Sequence, residues 1–394
     1  MRDRPSLLVV VQRYGDVSGG AEAHARMLVS KLRPHFDIEV ATTTALDYWT
    51  WENALTAGTA QVDGVPVHRF PVAKPRARTF HSYERRAFAA DHSLADELAF
   101  LDAQGPVCPE LAEDLRTRGR EHDHVLFFTY IYWTTVFGLP LVPERAVLVP
   151  TAHDEPAIRL AMYRRVFHLP RAIAYNTDEE RAMVERRFAN ARVPNEVVGV
   201  GIDAPPSGDA DRFRAAHGID GPYFLYLGRI VQSKGVDALL EQWATWRSRA
   251  TAPATLVLAG HREMAIPPRG DVKYIGTIGD DEKWDAYAGA TALLVPEAFQ
   301  SLSLVALEAW AMGRPVVCPA SSNVLASMSR RASAGLPYRG AAEFAETCEV
   351  LLERPEIGDR LGRCGREFVA RTYTWPVVVD KYLDLFAEVR ARTS

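Results

Sequence analysis

Two cations, Arg229 and Lys234, stand five residues apart in the segment GRIVQSKG, just after the apolar run YFLYL. A guanidinium is a rigid forked donor and an ammonium a mobile point charge, so together they suit a diphosphate. Further on, the segment LLVPEAFQSLSLVALEAWAMGRPVV places Ser301 and Ser303 at the opening of a predicted helix and Glu308 inside it, with Gly313 and Pro315 ending it. The first turn of such a helix offers backbone N–H groups to an anion. Glu308, one turn deeper, is placed to accept from a hydroxyl pair such as a ribose diol. Both segments follow short β-rich runs, and ligands of open α/β sheets collect at the carboxyl ends of parallel strands. The chemistry expected is recognition of a nucleotide with an attached phosphate.

In order and spacing these pieces resemble the nucleotide half of the family-4 retaining glycosyltransferases of GT-B fold. The family's phosphate grip, GR followed by KG, corresponds to GRIVQSKG, and its second Glu, leading into Ala, Gly and Pro-Val, corresponds to Glu308-Ala309 and GRPVV. The family carries a first Glu eight residues before the second; here that position is Gln300, with Glu297 close by but at the wrong spacing. The resemblance implies a donor site drawn from Gly19, Gly20, Arg229, Lys234, Gln300, Ser301, Leu302, Ser303 and Glu308, with Gln300 beside the donor sugar or its phosphate. It implies a His at position 153 directed at the donor sugar, making His153, Arg229 and Lys234 the catalytic set. The implied fold is α/β, two Rossmann-like domains facing across a cleft, with the last helix crossing back to the first domain.

The elements needed to position these groups are legible along the chain. SLLVVVQ, FDIEVATTT, VPVHRFPV, HVLFF, AVLVPTAH and AIAYN read as strands, with AEAHARMLVSKL as an amphipathic helix after the first. Strands alternating with helices imply a mostly parallel sheet. Gly, Pro and Asp gather in VVGVGIDAPPSGDAD, which marks a domain seam. The expected division is 1–201 for acceptor binding, 202–372 for the nucleotide sugar, and 373–394 as a helix packing back. With 394 residues and 47% hydrophobic content, two real cores are expected.

Several functions are disfavoured. A net charge of −4 argues against general nucleic-acid binding. A nicotinamide dehydrogenase needs G-x-G-x-x-G and a later acidic residue, and Gly15, Gly19 and Gly20 do not hold that spacing. Gly19 and Gly20 fit either a tight turn or close approach of backbone to a ligand. The uncharged run 125–143 is long enough to span a bilayer, but its Thr, Gly138, Pro140 and Pro143 divide it into strand, loop and short helix. The four cysteines form no C-x-x-C pair and fit a reducing cytoplasm. Asp209-Ala210-Asp211 is the one D-x-D and reads as a helix cap, so no metal is expected, nor any cofactor beyond the nucleotide-sugar co-substrate.

The acceptor is the least legible part. Glu22, Tyr48, Trp49 and Trp51 are candidates for it, with a helix N-terminal role for Glu22 and core packing for the tryptophans as alternatives. Asp154 and Glu155 read as caps before Pro156. Arg76, Arg78, Arg85 and Arg86, with Phe80 and Tyr83, form either a solvated helix face or a surface for an anionic acceptor or lipid. TALDYWTW and AQGPVCPEL resemble segments of a bacterial branch tied to polysaccharide or natural-product glycosylation. The expected activity is therefore retaining transfer of a sugar from a nucleoside diphosphate to a hydroxyl of a sugar, lipid-linked or natural-product acceptor. The expected location is the cytoplasm, with peripheral contact at the inner membrane face left open. The alternatives are an epimerase or sugar phosphorylase of the same fold, or a catalytically silent nucleotide-sugar-binding subunit.

Overall fold

The structure is a computed structural model that describes residues 4–17 and 19–392. The first sheet contains β1 (Ser6–Val10), β2 (Asp37–Thr43), β3 (Gly58–Val62), β4 (Val65–Phe70), β5 (His124–Phe128), β6 (Ala146–Val149), β7 (Ala172–Tyr175) and β8 (Asn195–Val197). Their order is β3-β4-β2-β1-β5-β6-β7-β8, parallel except for the β3–β4 hairpin. The second sheet contains β9 (Tyr223–Leu227), β10 (Thr255–Ala259), β11 (Val272–Gly276), β12 (Ala292–Leu294), β13 (Val316–Pro319) and β14 (Gly335–Tyr338), in the order β11-β10-β9-β12-β13-β14.

The continuous apolar runs are central strands buried on both faces. Leu7 to Val10 and Tyr223 to Leu225 are almost wholly inaccessible, as parallel sheets covered by helices require. The β3–β4 hairpin goes beyond the strands expected from sequence, although its signal is present. Asp63 and Gly64 take φ of 52° and 73°, the pair of left-handed residues that a two-residue hairpin turn demands.

Two compact units result: one holds the residues up to Val200 together with those from Val378 on, the other Gly201–Val377. The seam falls inside the Gly- and Pro-rich stretch. The end of helix Trp375–Ala391 belongs to the first unit for evident reasons. Phe386 packs against Phe36 and His124 at ring-centroid distances of 5.1 and 4.7 Å, and Lys381 Nζ donates to the Val197 carbonyl at 2.9 Å.

In each sheet the chain leaves its first strand toward one edge and later returns to the other side. The order therefore reverses between β1 and β5, and between β9 and β12, the places where open α/β sheets bind ligands. The run 125–143 resolves into β5, a loop, helix Trp133–Gly138 and a short 3-10 turn Leu139–Leu141. No helix among the described residues is long and apolar enough to cross a membrane.

Candidate functional site

In the second unit the loops after β9 and β12 meet. The loop after β9 runs through Arg229 into a short 3-10 turn, Gln232–Lys234, and Gly235 then opens helix Val236–Arg247. Tyr226 pins this loop by donating its hydroxyl to the Arg229 carbonyl at 2.7 Å. The Arg229 side chain stays 41% exposed, with a long 3.5 Å contact to Glu263. Lys234 Nζ lies 2.5 Å from Oε1 of Glu297, which follows β12. Gly235 has φ of 74°, and a Cβ there would stand 2.8 Å from the Pro296 carbonyl oxygen, so only glycine lets the two loops close up.

The chain then passes Phe299 and Gln300 to helix Leu304–Ala311, whose N-cap is Ser303. The Ser303 side chain makes no capping bond, which leaves the first-turn N–H groups to other partners. Ser301 and Leu302 sit half-buried in this approach, Leu302 against the core. Gln300 is buried, and its Nε2 donates to Ser322 Oγ at 3.3 Å, joining the loop after β12 to the one after β13. Arg229 and Lys234 thus follow β9, and Gln300, Ser301 and Ser303 follow the adjacent β12, at neighbouring strand ends.

Glu308 has partners of its own. Its Oε1 accepts from Lys283 Nζ at 2.8 Å and its Oε2 from the Tyr287 hydroxyl at 3.0 Å, both on helix Asp280–Gly289. Burial works against the Lys283 charge, but the Glu308 and Asp280 carboxylates together outweigh it and hold the ammonium above its ordinary value. Burial, with Glu308 adding to it, pushes the Tyr287 hydroxyl well up, so it stays a donor. Lys283, Tyr287 and Ser322 are not among the residues expected at the site from sequence, and nothing in local spacing announces them; Glu297 is near the family's first Glu in the chain but at the wrong spacing for it.

In the first unit several expectations need correction. Glu22 is buried and bound to Arg13, whose Nε and Nη2 lie 2.9 and 2.7 Å from Glu22 Oε1, while Arg13 Nη1 donates to the Leu46 carbonyl at 2.7 Å. A carboxylate held this way is not free for an acceptor hydroxyl. Gly19, at φ 152°, makes room for that pair: a Cβ would fall 2.1 Å from Glu22 Oε2. Gly20, by contrast, faces open space.

Trp51 is wholly buried among Ala45, Val72 and Tyr132, so no sugar can stack on it. Tyr48 is half-buried, and Trp49 alone of the three presents an open ring, at 55% exposure. The Arg76 guanidinium lies 5.1 Å from the Tyr48 ring and 5.8 Å from the Trp49 ring. Around it the basic cluster is partly neutralised, since Arg86 pairs with Asp91 and Asp96.

His153 follows β6. Its Nε2 lies 3.5 Å from Glu155 Oε2, and Glu155 Oε1 accepts from the Tyr130 hydroxyl at 2.8 Å. Glu155 precedes the 3-10 turn Pro156–Arg159 but its side chain does not cap it, and Asp154 reaches only Arg159, at 3.5 Å. The capping role expected of both is therefore replaced by side-chain pairing. Asp209 is a true cap: its Oδ1 accepts from the Asp211 and Arg212 N–H groups at 3.1 and 2.9 Å.

Residues 221–354 match the family described as Glycosyl transferases group 1. A D-inositol 3-phosphate glycosyltransferase of Frankia alni is 32% identical over 258 residues, 59% of this chain and 63% of that protein. One of Salinispora tropica is 27% identical over 400 residues, 85% of this chain and 83% of the other. The chain spans 63% of the length of two of these relatives, those of Frankia alni and a Nocardioides species. Among solved structures, sucrose-phosphate synthase of Thermosynechococcus elongatus superposes with a TM-score of 0.72 at 16% identity, over 99% of this chain and 100% of that one. HepE of Anabaena, in complex with UDP and glucose, gives 0.68 at 14% identity over 98% of this chain and 100% of the other. Residues 221–354 are thus similar in sequence to the group 1 glycosyltransferases, and over its whole length the chain shares the GT-B fold of these solved structures.

Proposed function

We propose that the protein transfers a sugar from a nucleoside diphosphate sugar to a hydroxyl acceptor, with retention at the anomeric carbon and without a metal ion. The observation that carries this reading is the meeting of the loops after β9 and β12 through Lys234 and Glu297, at the reversal of strand order and inside the matched segment. There Arg229 and Lys234 bind the diphosphate and offset its charge as it departs. The first turn of helix Leu304–Ala311 adds N–H donors to the same anion. Ser301, Leu302, Ser303 and Gln300 line the approach, and Glu308 receives the ribose hydroxyls alongside Lys283 and Tyr287. His153 acts from the first unit on the sugar, with the acceptor bound in that unit near Trp49 and Arg76.

UDP and glucose are the ligands named for the Anabaena structure, and inositol phosphate appears in the names of the relatives. Those make UDP-glucose the first donor to test and inositol phosphate the first acceptor. Thermal shift with UDP-, GDP-, ADP- and dTDP-sugars identifies the base, because a ligand specific to the folded state raises its stability. Product NMR then reads the anomeric configuration. Transfer with inversion removes the retaining assignment, internal isomerisation identifies an epimerase, and binding with no turnover of any donor identifies a silent subunit.

A further inference from the structure

Two threonines at the ends of neighbouring strands hold backbone conformations that β-branched residues rarely adopt: Thr129 after β5 at φ 61° and Thr151 after β6 at φ 49°. Such geometry costs free energy and persists only where the surroundings over-determine it. The fastening at Thr151 is direct. The next residue, Ala152, donates its N–H to Glu180 Oε1, and the Asn176 N–H donates to Glu180 Oε2 at 2.6 Å. Glu180 lies in the first turn of helix Asp178–Phe188 and is 1% exposed. One carboxylate therefore clamps the loop after β6 to the loop after β7.

His153 follows Ala152 directly. It contacts Glu155, which accepts from Tyr130, and Tyr130 follows the other strained threonine. Both strained positions thus flank one network of side chains, and Glu180 is its buried anchor. Burial drives the Glu180 carboxyl up to about 8, against the pull of the Asn176 and Ala152 N–H groups and of His153. The Tyr382 hydroxyl, buried nearby without a partner, and Tyr175 both feel its charge.

We propose that Glu180 is a positioning residue for sugar transfer: by holding the Ala152 and Asn176 N–H groups it fixes the strained Thr151 turn and with it the place of His153. This rests on the reading of His153 as a group that acts on the sugar.

Glu180→Gln keeps the size and one acceptor oxygen but sets an NH2 against one of the two N–H groups. Measured on the full chain, the Ala152 and His153 amides should exchange about tenfold faster or more in the variant, with the amides of β9 unchanged. With UDP-glucose, GDP-mannose and dTDP-glucose as donor probes, kcat for nucleotide release should fall about tenfold or more while KM stays within about twofold. In the His153→Ala background the same change should cost nothing further. Unchanged exchange at Ala152 overturns the proposal, and so does full additivity of the two rate losses. If His153→Ala leaves the rate intact, or wild type turns over none of the donors, the functional reading fails, and the exchange measurement still decides whether Glu180 holds the turn. If Glu180→Gln does not fold, Glu180→Asp, which shortens the carboxylate's reach, is read by the same measurements.

Discussion

Lys234 and Glu297 are 63 residues apart in the chain and 2.5 Å apart in space, joining the loops that leave two adjacent strands of the second sheet. Their side chains are 32% and 20% exposed, so the pair is too wet to hold the fold together. A carboxylate that close also preorganises the ammonium and must share it with any diphosphate that arrives. Lys234→Ala and Arg229→Ala should therefore weaken binding of a nucleoside diphosphate by about tenfold or more, since hydrogen bonds to ionised groups contribute roughly 1.5–3 kcal/mol. Titration calorimetry with UDP and GDP reads the affinity, and the thermal midpoint should barely move. Equal affinity in both variants and wild type removes the phosphate assignment.

Glu308 already satisfies Lys283 and Tyr287, so Glu308→Gln should have two effects. Stability should drop, because the half-buried Lys283 loses the nearer of its two counter-charges and keeps only Asp280, at 3.3 Å. Affinity for a ribonucleotide should also fall, while the 2′-deoxy analogue binds the variant about as well as it binds wild type. Equal weakening of both analogues would make Glu308 a framework residue of the Lys283–Tyr287 cluster.

Gln300→Ala should lower transfer more than it lowers binding of the bare nucleoside diphosphate. The comparison variant is Ser322→Ala, which removes the hydroxyl that holds the Gln300 amide. If Gln300 acts on the sugar, Ser322→Ala should reproduce part of the loss in kcat. No change in transfer for either variant places Gln300 outside the sugar pocket.

Initial rates should survive EDTA if, as proposed, positive charge at the leaving group comes from Arg229, Lys234 and a helix N-terminus. Activity lost to chelation and restored by magnesium or manganese would count against this mechanism. A metal effect confined to product release would not.

Stability should depend on pH through Glu180. An unfolded glutamate releases its proton near 4.5, whereas burial holds the folded one up to about 8. Between those values the folded state keeps a proton that the unfolded state has lost. The stability contributed by this group is therefore complete below about 4.5 and drains away as pH rises through about 8. His24, buried and pushed down to about 3, acts in the opposite sense below about 6.5, so wild type alone does not isolate the effect. Urea midpoints of wild type and Glu180→Gln, taken from pH 5 to about 9, should differ by an amount that changes with pH, wild type losing stability relative to the variant as pH rises. Parallel curves would show that Glu180 does not titrate in this window.

Much of the local structure around the cation loop and the Ser303 helix is legible in the amino-acid sequence. GRIVQSKG and the Ser303–Glu308 helix are local patterns, in which propensity, capping residues and turn residues act within a few positions. The helix does open at Ser303, and the cation loop does follow a buried strand. The first unit is less legible because its loops carry aromatic and acidic residues whose types fit either a surface or a core. Trp49 and Trp51 are two residues apart with the same chemistry, yet one lies open and the other is sealed.

The sequence by itself determined the elements: apolar runs bury on both faces, glycines and prolines interrupt them, and cations and hydroxyls sit at their ends. Tertiary structure alone decided the partners. Arg13 takes Glu22, Lys283 takes Glu308, Lys234 takes Glu297, and Glu180 takes the Ala152 and Asn176 amides. Periodicity along a chain records only which face a side chain occupies. Which groups meet across a strand end depends on strand order, and β12 lies beside β9 only because the chain reverses direction across the sheet.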